Sequence, residues 1–169
     1  MAPWLYALIA HAIIGGLDIV INHEYLARLP RQPALWMEVR LHSIRELIFA
    51  TIFIGLAWFE WHGWFAAVLA ALFLAEVLIS IVDTVLELDV RTLPVPERIL
   101  HVLLFINLGT IIALLGPDAW HWFLQSSALV PTGHGIWSWV LSAQSALALG
   151  WCIRDARTQR RLKRRHQNA

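Results

Sequence analysis

The sequence predicts an all-α integral membrane protein of five transmembrane helices: a four-helix antiparallel bundle made of two parallel repeats, with a fifth, peripheral helix. Three observations lead there. Of the 169 residues, 59% are hydrophobic and only 15% charged, whereas a soluble domain carries about a quarter charged residues. Apolar runs of about twenty residues, long enough to cross a bilayer, recur along the chain. Acids and histidines recur inside those runs at matched spacings in two halves of the chain.

The first span is expected from Pro3 to Asn22, with no Lys/Arg-rich start or cleavage site, so it reads as a retained span rather than a signal peptide. The second runs from Pro33 to Trp61, the third from Trp64 to Leu88, the fourth from Pro96 to Leu115 and the fifth from Gly135 to Ile153. Pro30, Pro33, Pro94 and Pro96 fall at the breaks, where a missing N–H costs least, and Gly63 and Gly116-Pro117 mark the other turns. Trp120, Trp122 and Phe123 read as a segment lying at the outer interface. Residues 1–153 form a single transmembrane domain, and 154–169 form a basic tail. The one cysteine, Cys152, has no partner for an intrachain disulfide.

Charge sets the expected orientation. Seven of the thirteen Lys and Arg residues lie between Arg154 and Arg165, while Arg28, Arg31 and Arg91 lie in the first and third connections. The positive-inside rule then puts the N-terminus outside and the C-terminus in the cytoplasm, as expected for a bacterial inner-membrane protein. The tail reads as a topology anchor that meets the lipid surface, and no nucleic-acid partner is expected.

The repeat organises the chemistry. Repeat A covers about 4–61 and repeat B about 64–115. His11, Gly15, Asp18 and Asn22 share one face of the first span; Glu76, Ser80, Asp83 and Glu87 share one face of the third at the same spacings. The second span opens with Glu38-Val39-Arg40-Leu41-His42 and the fourth with Glu97-Arg98-Ile99-Leu100-His101. An acid and a histidine four apart on a helix lie about 40° apart around the axis and roughly 6 Å apart along it, so both point at one spot.

Seven acids occupy or border the first four spans: Asp18, Glu38, Glu46, Glu76, Asp83, Glu87 and Glu97. A charge at mid-bilayer costs about 2.5–3.5 kcal/mol on insertion scales. Arg40, Arg45, Arg91 and Arg98 can offset four of them, by holding carboxylates or by greeting a polar head group. Two divalent cations, with a bridging hydroxide, would neutralise the three negative charges that remain. The expected ligands are Asp18, Glu38, His42, Asp83, Glu87, Glu97 and His101. His23 and Glu24 are either further ligands or a solvated loop, and Glu46 is a ligand or supports one. His11 and Glu76 read as a buried pair, with a proton path as the sharper alternative.

This pattern resembles the di-iron carboxylate helix bundles of the ferritin-like kind. There, two helices each supply a carboxylate and two each supply a carboxylate with a histidine. The resemblance covers the site pattern from Asp18 to His101, with Glu-x-x-x-His standing where that family has Glu-x-x-His. It implies Asp18 and Asp83 (or Glu87) as the lone carboxylates, with Glu38/His42 and Glu97/His101 as the paired ligands. An oxygen-rich site with two imidazoles suits iron first, then manganese or zinc. The expected function is a di-iron oxidoreductase of the oxidase, hydroxylase or desaturase type. It would act with dioxygen on a lipid, quinone or hydrocarbon, alongside a redox partner or in a homo-oligomer. A divalent-metal transporter or a metal-binding accessory subunit is the alternative.

Overall fold

The computed structural model describes residues 2–168. Five helices dominate it: α1 (Pro3–Asp18), α2 (Trp36–Trp58), α3 (Trp64–Val90), α4 (Val95–Phe123) and α5 (Ile136–Gln167). Counting the helical turns that extend them, all five are long and apolar enough to cross a membrane. Pro opens or adjoins the first turn of α1 and α4, where its fixed φ suits the helix and its missing N–H is no loss.

α1 does not stop at Asp18. It widens into a π-helical segment, Ile19–Leu26, which ends at Arg28 in the left-handed conformation (φ 51°). Two 3₁₀ turns, Leu29–Arg31 and Pro33–Leu35, then carry the chain into α2.

The closest helix pairs are α2 with α5 and α1 with α4, followed by α2 with α3 and α3 with α4. The backbones of α1 and α2 stand apart. The expected peripheral place of α5 is therefore corrected: it lies along α2 as its nearest neighbour. Ser138 and Ser145 explain the closeness, since their hydroxyls donate to the backbone carbonyls of Ala57 and Ala50 at 2.7 Å each. Small side chains that bond directly to a facing backbone let helices approach without a hydrophobic drive.

Two further boundaries differ from the expected ones. α4 runs through Gly116-Pro117 to Phe123, so Trp120, Trp122 and Phe123 are helical rather than a separate interfacial segment. Asp118 in that extension accepts a hydrogen bond from the Trp4 indole at 2.9 Å, tying it to the start of α1. α5 likewise carries the basic tail as helix to Gln167. Leu162 buries itself against Leu29, Leu35 and Val39, and Lys163 sits 4.9 Å from the Trp36 ring.

A two-stranded antiparallel ribbon adds to the helices: β1 (Phe59–His62) pairs with β2 (Ala128–Pro131), with Phe59 opposite Pro131 and His62 opposite Ala128. Gly63 follows β1 at φ 55°, ψ −123°, packed on Ser127, where a side chain fits neither the backbone nor the space.

The interior divides in two along the bundle. Towards the ribbon it is a packed apolar core that includes Leu5, Leu8, Ile52, Leu56, Ile111 and Leu115. Towards the other end lie the buried acids and histidines. The outer faces are the reverse, with Leu78, Val82, Val85, Ile99, Val102 and Ile106 all more than half exposed. Apolar outside and charged inside is the distribution a bilayer requires.

Candidate metal centre

Four helix ends meet at the polar end of the bundle. The C-terminal part of α1 brings Asp18, the start of α2 brings Glu38 and His42, the end of α3 brings Asp83 and Glu87, and the start of α4 brings Glu97 and His101. All seven expected ligands reach this region, but Asp18 and Asp83 fall in neither of the groups whose donor atoms lie close enough to share one ion. Glu38, Glu87 and Glu97 are fully buried.

His23 joins them. In a π-helix the backbone bonds run i to i+5, so residues five apart stack as residues four apart do in an α-helix. His23 Nε2 accordingly lies 3.4 Å from Asp18 Oδ2 and 3.5 Å from Glu97 Oε1. Its ring stacks on His42, with centroids 4.4 Å apart and planes 2° apart.

Glu87 sits at the centre. Its Oε1 faces His42 Nε2 at 3.8 Å and its Oε2 faces His101 Nδ1 at 3.4 Å. Around it the histidines cross over: His42 Nε2 is 3.1 Å from Asp83 Oδ2, and His101 Nε2 is 3.2 Å from Asp18 Oδ2. The histidine of each half meets the aspartate of the other.

Two overlapping sets of donors result. His23, Glu87, Glu97 and His101 form one; Glu38, His42 and Glu87 form the other, and within each set the donor atoms lie within 4.8 Å of one another. Ligands on one ion at about 2.1 Å stand at most about 4.2 Å apart, so shifts of less than an ångström complete either set. The polar atoms support the fit. Both Glu87 oxygens are buried without a hydrogen bond, Oε1 meeting Arg91 Nη2 only at 3.6 Å, and the buried Nε2 atoms of His23 and His42 face carboxylate oxygens. Buried polar groups are almost always satisfied, and a cation would satisfy these carboxylate oxygens and imidazole nitrogens together. These buried groups can therefore hold metal.

Two arginines trim the charge. Arg91, in the connection after α3, meets three acids: Nη2 donates to Glu38 Oε1 at 2.7 Å, Nη1 to Glu97 Oε2 at 2.7 Å, and Nη2 also lies 3.6 Å from Glu87 Oε1. Burial alone would lower its pKa, but the hydrogen bonds and charges of Glu97 and Glu38 raise it above the ordinary value, so Arg91 stays charged. Arg45 donates to Glu76 Oε1 at 2.9 Å and to Asp83 Oδ2 at 3.0 Å.

Several expected roles are corrected. Arg40 and Arg98 are exposed and, among the described residues, form no ion pair, so they hold no carboxylate. The buried anionic excess is accordingly larger than four arginines would leave. Glu24 turns away from the centre and pairs with Arg154. His11 and Glu76 do not pair: Asn107 reaches His11 Nδ1 at 3.3 Å, while Glu76 is held by Arg45 and Ser80. The reason is that α1 packs on α4, whereas α3 packs on α2. Glu46 belongs to neither donor set; it lines a cavity instead.

No family model, curated protein or solved structure matches this chain. The likeness to the di-iron bundles thus rests on the donor pattern alone.

The cavity, about 310 Å³, opens where α1 and α2 stand apart. Asp18, His23 and His42 border it on the side of the donor cluster, and Phe49, Phe53, Leu104 and Ala148 supply apolar wall.

Proposed function

We propose that this chain is a membrane-embedded di-metal oxidoreductase, with iron as the metal, acting with dioxygen on an apolar, membrane-soluble substrate. The observation that carries the reading is Glu87, a fully buried carboxylate whose two oxygens face two different imidazoles, bond to neither, and meet Arg91 only at ion-pair distance, 3.6 Å. One carboxylate shared by two donor sets is the arrangement that holds two ions side by side.

His23, Glu97 and His101 would hold one ion and Glu38 with His42 the other, with Glu87 shared. Asp18 Oδ2 would accept a hydrogen bond from the His101 Nε2–H and leave Nδ1 for the ion, as the carboxylates behind metal-bound histidines do. Glu38 and Glu97 can face an ion while still accepting from Arg91, because each carboxylate oxygen carries two lone pairs. When bound by these residues, a redox-active pair of ions would supply electrons to dioxygen, and a separate reductant, the redox partner, would restore them. The apolar cavity wall keeps water from the donor cluster and orients a hydrocarbon against it.

The crossed His–Asp contacts support the two-repeat reading, since an axis exchanging the halves turns His42–Asp83 into His101–Asp18. It also exchanges the α1–α4 pair with the α2–α3 pair. The basic residues in the connections and tail support a cytoplasmic C-terminus. Transport of the metal is the weaker alternative. Between the cluster and the ribbon the centre is filled by Leu5, Leu8, Ile52, Leu56, Ile111 and Leu115, each at most 2% exposed, and offers an ion no donors.

The test is oxygen uptake by iron-loaded protein in nanodiscs, supplied with a chemical reductant and a membrane lipid extract. Uptake that depends on the extract and disappears with His42→Ala and His101→Ala agrees with the proposal. Metal flux into proteoliposomes, with no oxygen uptake, would replace it with the transporter.

A further inference from the structure

The cavity beside the metal centre has polar features that the metal does not use. Glu46, 8% exposed, points neither carboxylate oxygen at a hydrogen-bond partner. The Trp151 indole N–H and the Gln144 side-chain oxygen are also buried and unpartnered. All three line this one cavity, Glu46 from α2 and the other two from α5. Three such groups around one apolar space are costly unless something in that space completes them.

We infer that this cavity binds a neutral, hydroxyl-headed amphiphile, its hydroxyl between Glu46 and Trp151 and its apolar chain leaving between α1 and α5. The inference rests on the proposed function only in treating the cavity as the place where substrate meets the metal centre.

The chemistry of the lining selects the head group. A hydroxyl donates its proton to the Glu46 carboxylate and accepts from the Trp151 N–H, which satisfies both with one atom. An ammonium head has no lone pair for Trp151, and an ether has no proton to donate to Glu46. Gln144 stands two turns from Trp151 on the same face of α5, about 10 Å along the axis, where it meets a second polar atom further up the ligand. Glu46 is one turn beyond His42, about 6 Å along α2, so a bound head lies next to the donor cluster.

The exit is sideways. Val20 on α1 and Leu147 on α5 line the cavity and are themselves exposed, 54% and 64%. α1 and α5 touch little, so the opening faces the surface that lipid tails would cover.

The test uses the full chain in nanodiscs, both chelator-treated and iron-loaded, with a long-chain primary alcohol carrying a diazirine near its hydroxyl. The methyl ether of the same probe is the control. Photolabelling should fall on the segments around Glu46 and Trp151, in both metal states, and should be about tenfold weaker for the ether. Glu46→Leu and Trp151→Phe should each weaken labelling several-fold; Trp151→Phe removes little more than the N–H and so preserves the packing. Equal labelling by alcohol and ether, or labelling unchanged in both variants, overturns the inference. Selective labelling without oxygen uptake in the iron-loaded protein would uphold this site while overturning the oxidoreductase reading.

Discussion

His23 and His42 stack face to face, 4.4 Å between centroids and 2° between planes, although they come from different helices. Each ring has a buried Nε2 atom facing two carboxylates, Asp18 and Glu97 for His23 and Asp83 and Glu87 for His42. The contact exists because α1 widens after Asp18 and turns His23 inward. It draws into the centre a histidine that the two-fold pattern of acids and histidines does not require.

His23→Ala should therefore lower metal affinity by at least about tenfold, a loss typical even of groups that only support a ligand. Glu24→Gln, one residue on, should leave affinity unchanged, because Glu24 pairs with Arg154. Equilibrium dialysis with elemental analysis reads both. Equal effects would place the metal elsewhere.

Glu87→Gln should do more than weaken binding. Removing the shared carboxylate takes a ligand from both donor sets, so bound metal should fall from two ions per chain to one or none. Glu87→Asp keeps the charge on a shorter arm and should retain an intermediate content. Metal titrations of the three proteins side by side give the answer.

Arg91 makes a prediction about stability. It is the counter-ion of both Glu38 and Glu97, which are fully buried. Arg91→Ala should destabilise the metal-free protein by about 3–5 kcal/mol, the usual cost of stranding a buried charge. Added metal should recover much of that loss, since cations then balance the same carboxylates. Thermal unfolding in detergent, with and without metal, measures both quantities.

Gly63→Ala serves as the distant control. Its φ of 55° with ψ −123° belongs to glycine, and a Cβ there would strike Ser127. The substitution should cost about 1–3 kcal/mol of stability and leave metal content untouched, because the ribbon lies at the opposite end of the bundle. A loss of metal would mean that the two ends are coupled.

Much of this centre was legible from spacing. Glu38 with His42 and Glu97 with His101 sit one turn apart at the starts of α2 and α4, and prolines near both starts fixed their depth. Asp18 and Asp83 followed from the matched faces of α1 and α3. His23 did not follow, because its inward turn depends on π-helical winding that an ideal 3.6-residue period cannot register. The outward placement of Arg40 could have been found: two residues from both Glu38 and His42, it lies about 200° around the helix from each.

Beyond the centre, α4 passes Gly116-Pro117 because one proline interrupts only a local bond, and Trp4 anchors the far side through Asp118. The ribbon was hidden for another reason. Four residues on each side, joined across more than sixty positions, leave no periodicity to read. The closeness of α5 to α2 depends on serines bonding to carbonyls, a pairing that hydropathy does not reveal.

The most direct measurement is the transition-metal content of the protein, purified without chelator and then soaked in ferrous iron under reductant. Close to two ions per chain, falling away in the His42→Ala, His101→Ala and Glu87→Gln proteins, is the predicted result. A folded wild-type protein that holds no near-stoichiometric metal after soaking would contradict the account.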